Sequence, residues 1–134
     1  SQVYFLNNLG LNELSSKLTE SSITVSLTAY NPIIESLQNQ TPVITYEYGE
    51  INDVFNKCNA VKIICKDIKK SSNLNFKDER RIVEELGKEL INSYKNKNKL
   101  IEIGIQGKEY VENNFPTLDE HVKLINQVLI KAIS

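Results

Sequence analysis

A short helical pattern opening on Asn31-Pro32 and carrying one carboxylate, Glu35, lies between two apolar, β-branched runs in SITVSLTAYNPIIESLQNQTPVITYE, residues 22–47. Asn is a favoured N-cap and Pro a favoured first helical residue, so the pair marks a helix start without any ligand. With Asn31 as N-cap, Glu35 falls at the fourth helical position, whereas a capping-box glutamate takes the third. The order is strand, helix start, carboxylate, strand. In parallel α/β sheets ligands gather outside the carboxyl ends of the strands, and a helix N-terminus offers free N–H groups and partial positive charge to phosphate. A carboxylate one turn inside that helix can accept two hydrogen bonds from vicinal hydroxyls such as those of a ribose. The plainer role is a solvated glutamate favoured by the helix dipole. A nucleotide-type ligand is therefore the first functional expectation.

Other reactive side chains point less far. Cys58 and Cys65 stand seven apart with the single histidine, His121, distant from both, which makes neither a zinc site nor a disulfide framework. They read as core or near-surface thiols of a reduced, cytoplasmic protein. His121 reads as a surface or boundary residue of the last helix rather than a general base. The sequence contains no D-x-D, no G-x-G-x-x-G and no Walker A loop, so no metal ligands are assigned. Lys66, Lys69 and Lys70 form a basic run that reads as a solvated loop, with peripheral membrane contact as its alternative.

The 134 residues, 40% hydrophobic and 25% charged, suit one globular domain with a real core. Sixteen basic against seventeen acidic residues leave a net charge of -1, so no global field favours nucleic acid. No run approaches the roughly 18 apolar residues of a membrane span, and no signal-peptide pattern opens the chain. There is no methionine, and the strand-like Val3-Tyr4-Phe5-Leu6 is already under way at the start. We expect the native gene product to extend beyond Ser1 on the N-terminal side.

Periodicity orders the elements that must hold Glu35. Residues 1–65 read as βα units: strands over 2–6, 23–27, 42–46 and 60–65, with helices over 11–20, 32–39 and 50–56 between them. Such alternation predicts a parallel sheet. A polar loop over 66–76 precedes helices filling 77–133: one over 77–94, a break at the NKNK run, one over 100–113, and a last one opening on the capping box Thr117/Glu120. Gly104 and Gly107 each cost about 1 kcal/mol inside a helix, so close packing on a neighbour is expected there.

The joint order of these motifs resembles the donor-nucleotide domain of retaining GT-B glycosyltransferases, the group that includes bacterial capsule and lipopolysaccharide transferases. Ser22-Ile23-Thr24-Val25 resembles its second strand, Glu35-Ser36-Leu37 its E-A-M, and Thr41-Pro42-Val43-Ile44 its T-P-V-I. Gly49-Glu50-Ile51-Asn52-Asp53 falls on its G-G-I-P-E turn. The tail from Ile103-Gly104 to Tyr110-Val111 and Phe115 resembles L-G-x-x-A-x-x-Y-V-x-x-x-F. The chain departs from the pattern in three places, the first being a loop before Glu35 that is shorter than the family's. Strict E-x7-E spacing puts the first acid at Leu27, with Asn31 its nearest polar stand-in, and Gln40 stands where the family has glycine before T-P.

The resemblance implies the C-terminal part of a Rossmann-like GT-B domain: four parallel strands with helices on both faces, closed by three C-terminal helices. It implies transfer of a hexose, with retention, from a nucleotide diphosphate sugar to a glycan or lipid-linked acceptor, without metal or other cofactor. Glu35 would bind the ribose hydroxyls and Asn31 would lie near the donor sugar. The backbone at Ile33 and Ile34 would face the diphosphate, and Leu9 with Asn8 would pack on the base. The family's basic diphosphate pair and acceptor domain precede this segment, so no catalytic residue is assigned here and the segment alone should be inactive. A non-catalytic GT-B-like partner subunit is the rival reading, and a nucleotide-sugar epimerase of the same fold a third.

Overall fold

The computed structural model describes residues 11–27, 31–46, 51–68, 75–116 and 118–133. Three β-branched runs form a parallel sheet of β1 (Thr24–Val25), β2 (Val43–Tyr46) and β3 (Val61–Ile64), in the spatial order β1-β2-β3. The register pairs Thr24 with Val43 and Val43 with Val61. Helix α1 (Leu11–Glu20) precedes β1, α2 (Asn31–Gln38) joins β1 to β2, and α3 (Ile51–Phe55) lies between β2 and β3. Then come α4 (Phe76–Lys95), α5 (Lys97–Asn114) and α6 (Leu118–Ile133). The strand expected over 2–6 lies outside the described residues, which therefore hold three strands of the four anticipated.

Side chains along a strand alternate between faces, and here each face has its own helices. Val43, Val61 and Ile63 join Ile33 and Leu37 of α2, Phe55 of α3 and Val111 of α5 in one cluster. Ile44 and Ile64 join Cys65, Ile68 and Ile82 of α4 in the other. Helices thus cover both faces, as expected. Ile33, Leu37 and Phe55 are fully buried, each worth about 1.5–3 kcal/mol relative to exposure.

Helix α4 begins one residue earlier than its periodicity suggested, because Asn75 caps it: its Oδ1 accepts from the Asp78 amide at 2.8 Å. The helix runs antiparallel to β3. Arg81 meets Asp67, Glu85 meets the Cys65 amide, and Glu89 meets Lys62, so the strand number falls as the helix number rises. The α4 N-terminus consequently lies at the carboxyl edge of the sheet.

The break before α5 is the single residue Asn96, not the whole NKNK run, because the Asn96 amide still reaches the Asn92 and Ser93 carbonyls. The two glycines of α5 have the close neighbours their cost demanded. A Cβ on Gly104 would fall 2.0 Å from the Gln40 carbonyl oxygen, and one on Gly107 would fall 2.6 Å from Ala60 Cβ and 2.9 Å from Leu37 Cδ2. Further along α5, the Tyr110 hydroxyl donates to the Val54 carbonyl at 2.5 Å, and Phe115 stacks on Phe55 with ring centres 5.8 Å apart.

Helix α6 presents Val122, Ile125, Leu129 and Ile133 as an exposed apolar face. Thr117, the expected cap, lies outside the described residues, as does the His121 side chain. No helix among the described residues is long and apolar enough to cross a membrane.

Candidate functional site: the carboxyl edge of the sheet

Helix α2 is oriented by its apolar pair. Ile33 and Leu37, four apart, bury against β2 and β3. At about 100° per residue, Glu35 lies about 200° round the helix from Ile33, on the same face as Asn31 one turn earlier. Asn31 is exposed, while Pro32, Ile34 and Glu35 are half-buried. The Glu35 carbonyl accepts from the Asn39 amide at 3.3 Å and from its Nδ2 at 2.8 Å. Among the described residues, no hydrogen bond or ion pair engages the Glu35 carboxylate.

The first-turn N–H groups of a helix lack intrahelical acceptors. In α2, which begins at Asn31, they include those of Asn31 and Ile33, Pro32 having none. The side chains of Ile33 and Ile34 serve the core, so only their backbone is available to a ligand. Asn8 and Leu9 lie outside the described residues, as do 28–30 and 47–50 beside the ends of β1 and β2.

Sequence reasoning missed a chain of buried and half-buried hydroxyls behind α2. Ser36 is fully buried, with its Oγ 2.8 Å from Thr24 Oγ1 and 2.9 Å from the Thr41 carbonyl oxygen. A hydroxyl has one proton, so Ser36 donates to the Thr41 carbonyl and accepts from Thr24. The Thr41 hydroxyl in turn donates to the Leu18 carbonyl at 2.5 Å. The chain thereby ties α1, β1, α2 and the entry to β2 together. Its sequence signal was faint: serine at the place of alanine in the resembled E-A-M. Gln40, in the turn after α2, has φ 58, the left-handed region that glycine enters freely.

A second polar cluster, at the end of β3, was also not foreseen. Arg81 bonds both Asp67 oxygens and, at 3.3 Å, Glu85 Oε1, while Glu85 Oε2 accepts from the Cys65 amide at 3.1 Å. The Arg81 guanidinium holds the Asp67 carboxyl below the usual carboxylate range. Hydrogen bonds from Cys65 chiefly, with Arg81 assisting, lower Glu85. Burial, with the adjacent Glu85, pushes the Cys65 thiol up to about 11. A thiol so raised stays protonated near neutrality and is a poor nucleophile, and the cluster pins α4 to β3. Cys58 is likewise raised by burial and lies in the cluster on the opposite face of the sheet.

Shallow surface depressions occur elsewhere: about 230 Å³ lined by Leu124, Ile125, Val128 and Leu129 on α6, and about 350 Å³ along Asn12, Glu13, Ser16 and Lys17 on α1. Neither is lined by Asn31 or Glu35. Among the described residues no group of three or more His, Cys, Asp or Glu is placed to hold a metal ion. Comparisons with protein-family models, with curated proteins and with solved structures return no match.

Proposed function

We propose that this chain is the C-terminal part of the donor domain of a retaining GT-B glycosyltransferase of the capsule or lipopolysaccharide type. In this reading the intact enzyme moves a hexose from a nucleotide diphosphate sugar to a glycan or lipid-linked acceptor. Glu35 carries it: a half-buried carboxylate with no partner among the described residues, one turn inside the helix that follows β1 at the carboxyl edge. It accepts the two ribose hydroxyls. Asn31, on the same face, reaches the donor sugar, and the backbone at Ile33 and Ile34 faces the diphosphate. Catalysis of this kind is mostly donor positioning and stabilisation of the departing diphosphate.

Packing supports the same reading. Gln40 has φ 58 at the place of the family's glycine before T-P. Ile103, Gly104, Gly107, Tyr110, Val111 and Phe115, the written positions of the tail pattern, are buried or half-buried, whereas of the seven positions between them all but the half-buried Lys108 are exposed. The two resembled segments meet where Gly104 lies on Gln40. Asn31 also supports a second reading, a non-catalytic partner subunit, because the neutral amide stands nearest the family's first acid.

Saturation-transfer NMR of uridine, guanosine and adenosine diphosphates with the full-length protein tests the proposal. Transfer to the ribose protons of one of the three is the expected result; no transfer to any nucleotide contradicts it. Release of diphosphate from a sugar nucleotide then separates the transferase from the partner subunit.

A further inference from the structure

Hydrophobic burial is non-directional, so Ile33 and Leu37 hold α2 on the sheet without fixing its roll. Hydrogen bonds are directional. The buried Ser36 hydroxyl, accepting from Thr24 of β1 and donating to the Thr41 carbonyl, fixes the roll one residue away from Glu35. With side-chain tips about 5–6 Å from the helix axis, a roll of about 20° would carry the Glu35 carboxylate about 2 Å, beyond the roughly 0.5 Å that a binding constellation tolerates. On the other side Leu37 meets Gly107 and the Gln40 carbonyl meets Gly104, so α5 backs the helix and the turn that follows it.

We infer that the hydroxyl chain Thr24–Ser36–Thr41 is a positioning element that presents the Glu35 carboxylate to a nucleoside diphosphate. The inference rests on the reading of Glu35 as the ribose ligand. Thr24 and Ser36 touch no ligand themselves and act through the orientation of α2.

The test is a double-mutant cycle in the full-length protein, titrating uridine, guanosine and adenosine diphosphates by calorimetry with thermal unfolding as the control for folding. Thr24→Val keeps the shape and removes the donor; it is expected to weaken the tightest-bound diphosphate about five-fold, as the loss of one net hydrogen bond would. Thr24→Ser, which keeps the hydroxyl, is expected to restore wild-type binding. On a Glu35→Gln background, Thr24→Val is expected to change binding less than about two-fold, because the positioned charge is already gone. Unchanged binding by Thr24→Val, or the same loss in both backgrounds, overturns the positioning role. If Thr24→Val does not fold, Ser36→Ala takes its place with the same outcomes. Glu35→Gln binding like wild type, or no diphosphate binding wild type, overturns the parent reading and this one with it, and each result is visible separately from the cycle.

Discussion

The carbonyl oxygen of Gln40 occupies the space a side chain at Gly104 would need: a Cβ there would lie 2.0 Å from that oxygen. The obstacle is backbone, so it yields only if α5 or the turn after α2 moves. Gly87, in α4, has nothing among the described residues within 4 Å of a Cβ placed in the same way.

These two glycines should respond oppositely to alanine. Gly104→Ala is expected to destabilise by about 1–3 kcal/mol, the usual cost of overpacking. Gly87→Ala is expected to stabilise by about 0.5–1 kcal/mol through helix propensity. Urea unfolding of both variants checks this. Equal effects would show that α5 does not press on Gln40.

Cys58 and Cys65 belong to clusters on opposite faces of the sheet, so no intramolecular disulfide should form in the folded protein under mild air oxidation. Thiol titration should count two free groups that react slowly until the protein unfolds. The Cys65 thiol also sets an alkaline limit. Its pKa is raised from 9.0 to about 11, so the folded state holds its proton longer than the unfolded state. That contribution is intact below about pH 9 and is lost as pH rises through about 11. Cys65→Ala should flatten this decline, and an unchanged slope in the variant would contradict the assignment.

Glu85 sets the opposite, acidic dependence. Its carboxyl lies below the ordinary value of 4.5 because Cys65 and Arg81 bond the ionised form. The unfolded state therefore binds its proton first as pH falls, and the contribution present above about pH 4.5 is lost on further acidification. Glu85→Gln should lower stability at pH 7 and show a shallower decline between pH 5 and 3 than wild type. Parallel curves would remove Glu85 from the pin between α4 and β3.

How far the sequence spoke depended on whether a feature was local. The helix over 11–20 matches α1 end to end, because its leucine spacing needs no knowledge of the partner. Glycines in a helical pattern announced a close neighbour for α5, yet the identity of Gln40, Ala60 and Leu37 as that neighbour depends on how α2 crosses α5. The strand read over 23–27 shortens to Thr24–Val25 because regular pairing with β2 ends there. At the candidate site a helix start at Asn31-Pro32 was legible from capping rules, although α2 takes in Asn31 as its first residue rather than as the cap before it. The Ser36 hydroxyl chain and the contact of Glu85 with Cys65 were not, since their partners lie 12 and 20 residues away and small polar residues carry no periodic signal.

Replacing Glu35 by glutamine decides most directly whether the carboxyl edge binds a nucleotide. A solvated surface glutamate changed in this way shifts stability by less than about 0.5 kcal/mol and leaves binding alone. A ribose ligand makes charge-assisted hydrogen bonds worth about 1.5–3 kcal/mol each, so losing the charge should weaken the best of uridine, guanosine and adenosine diphosphates about ten-fold or more. Calorimetry on full-length wild type and Glu35→Gln, with thermal unfolding alongside, gives the answer. A ten-fold loss in a folded variant is the expected result; equal affinity in two folded proteins would contradict Glu35 as the ribose ligand and the transferase reading that rests on it.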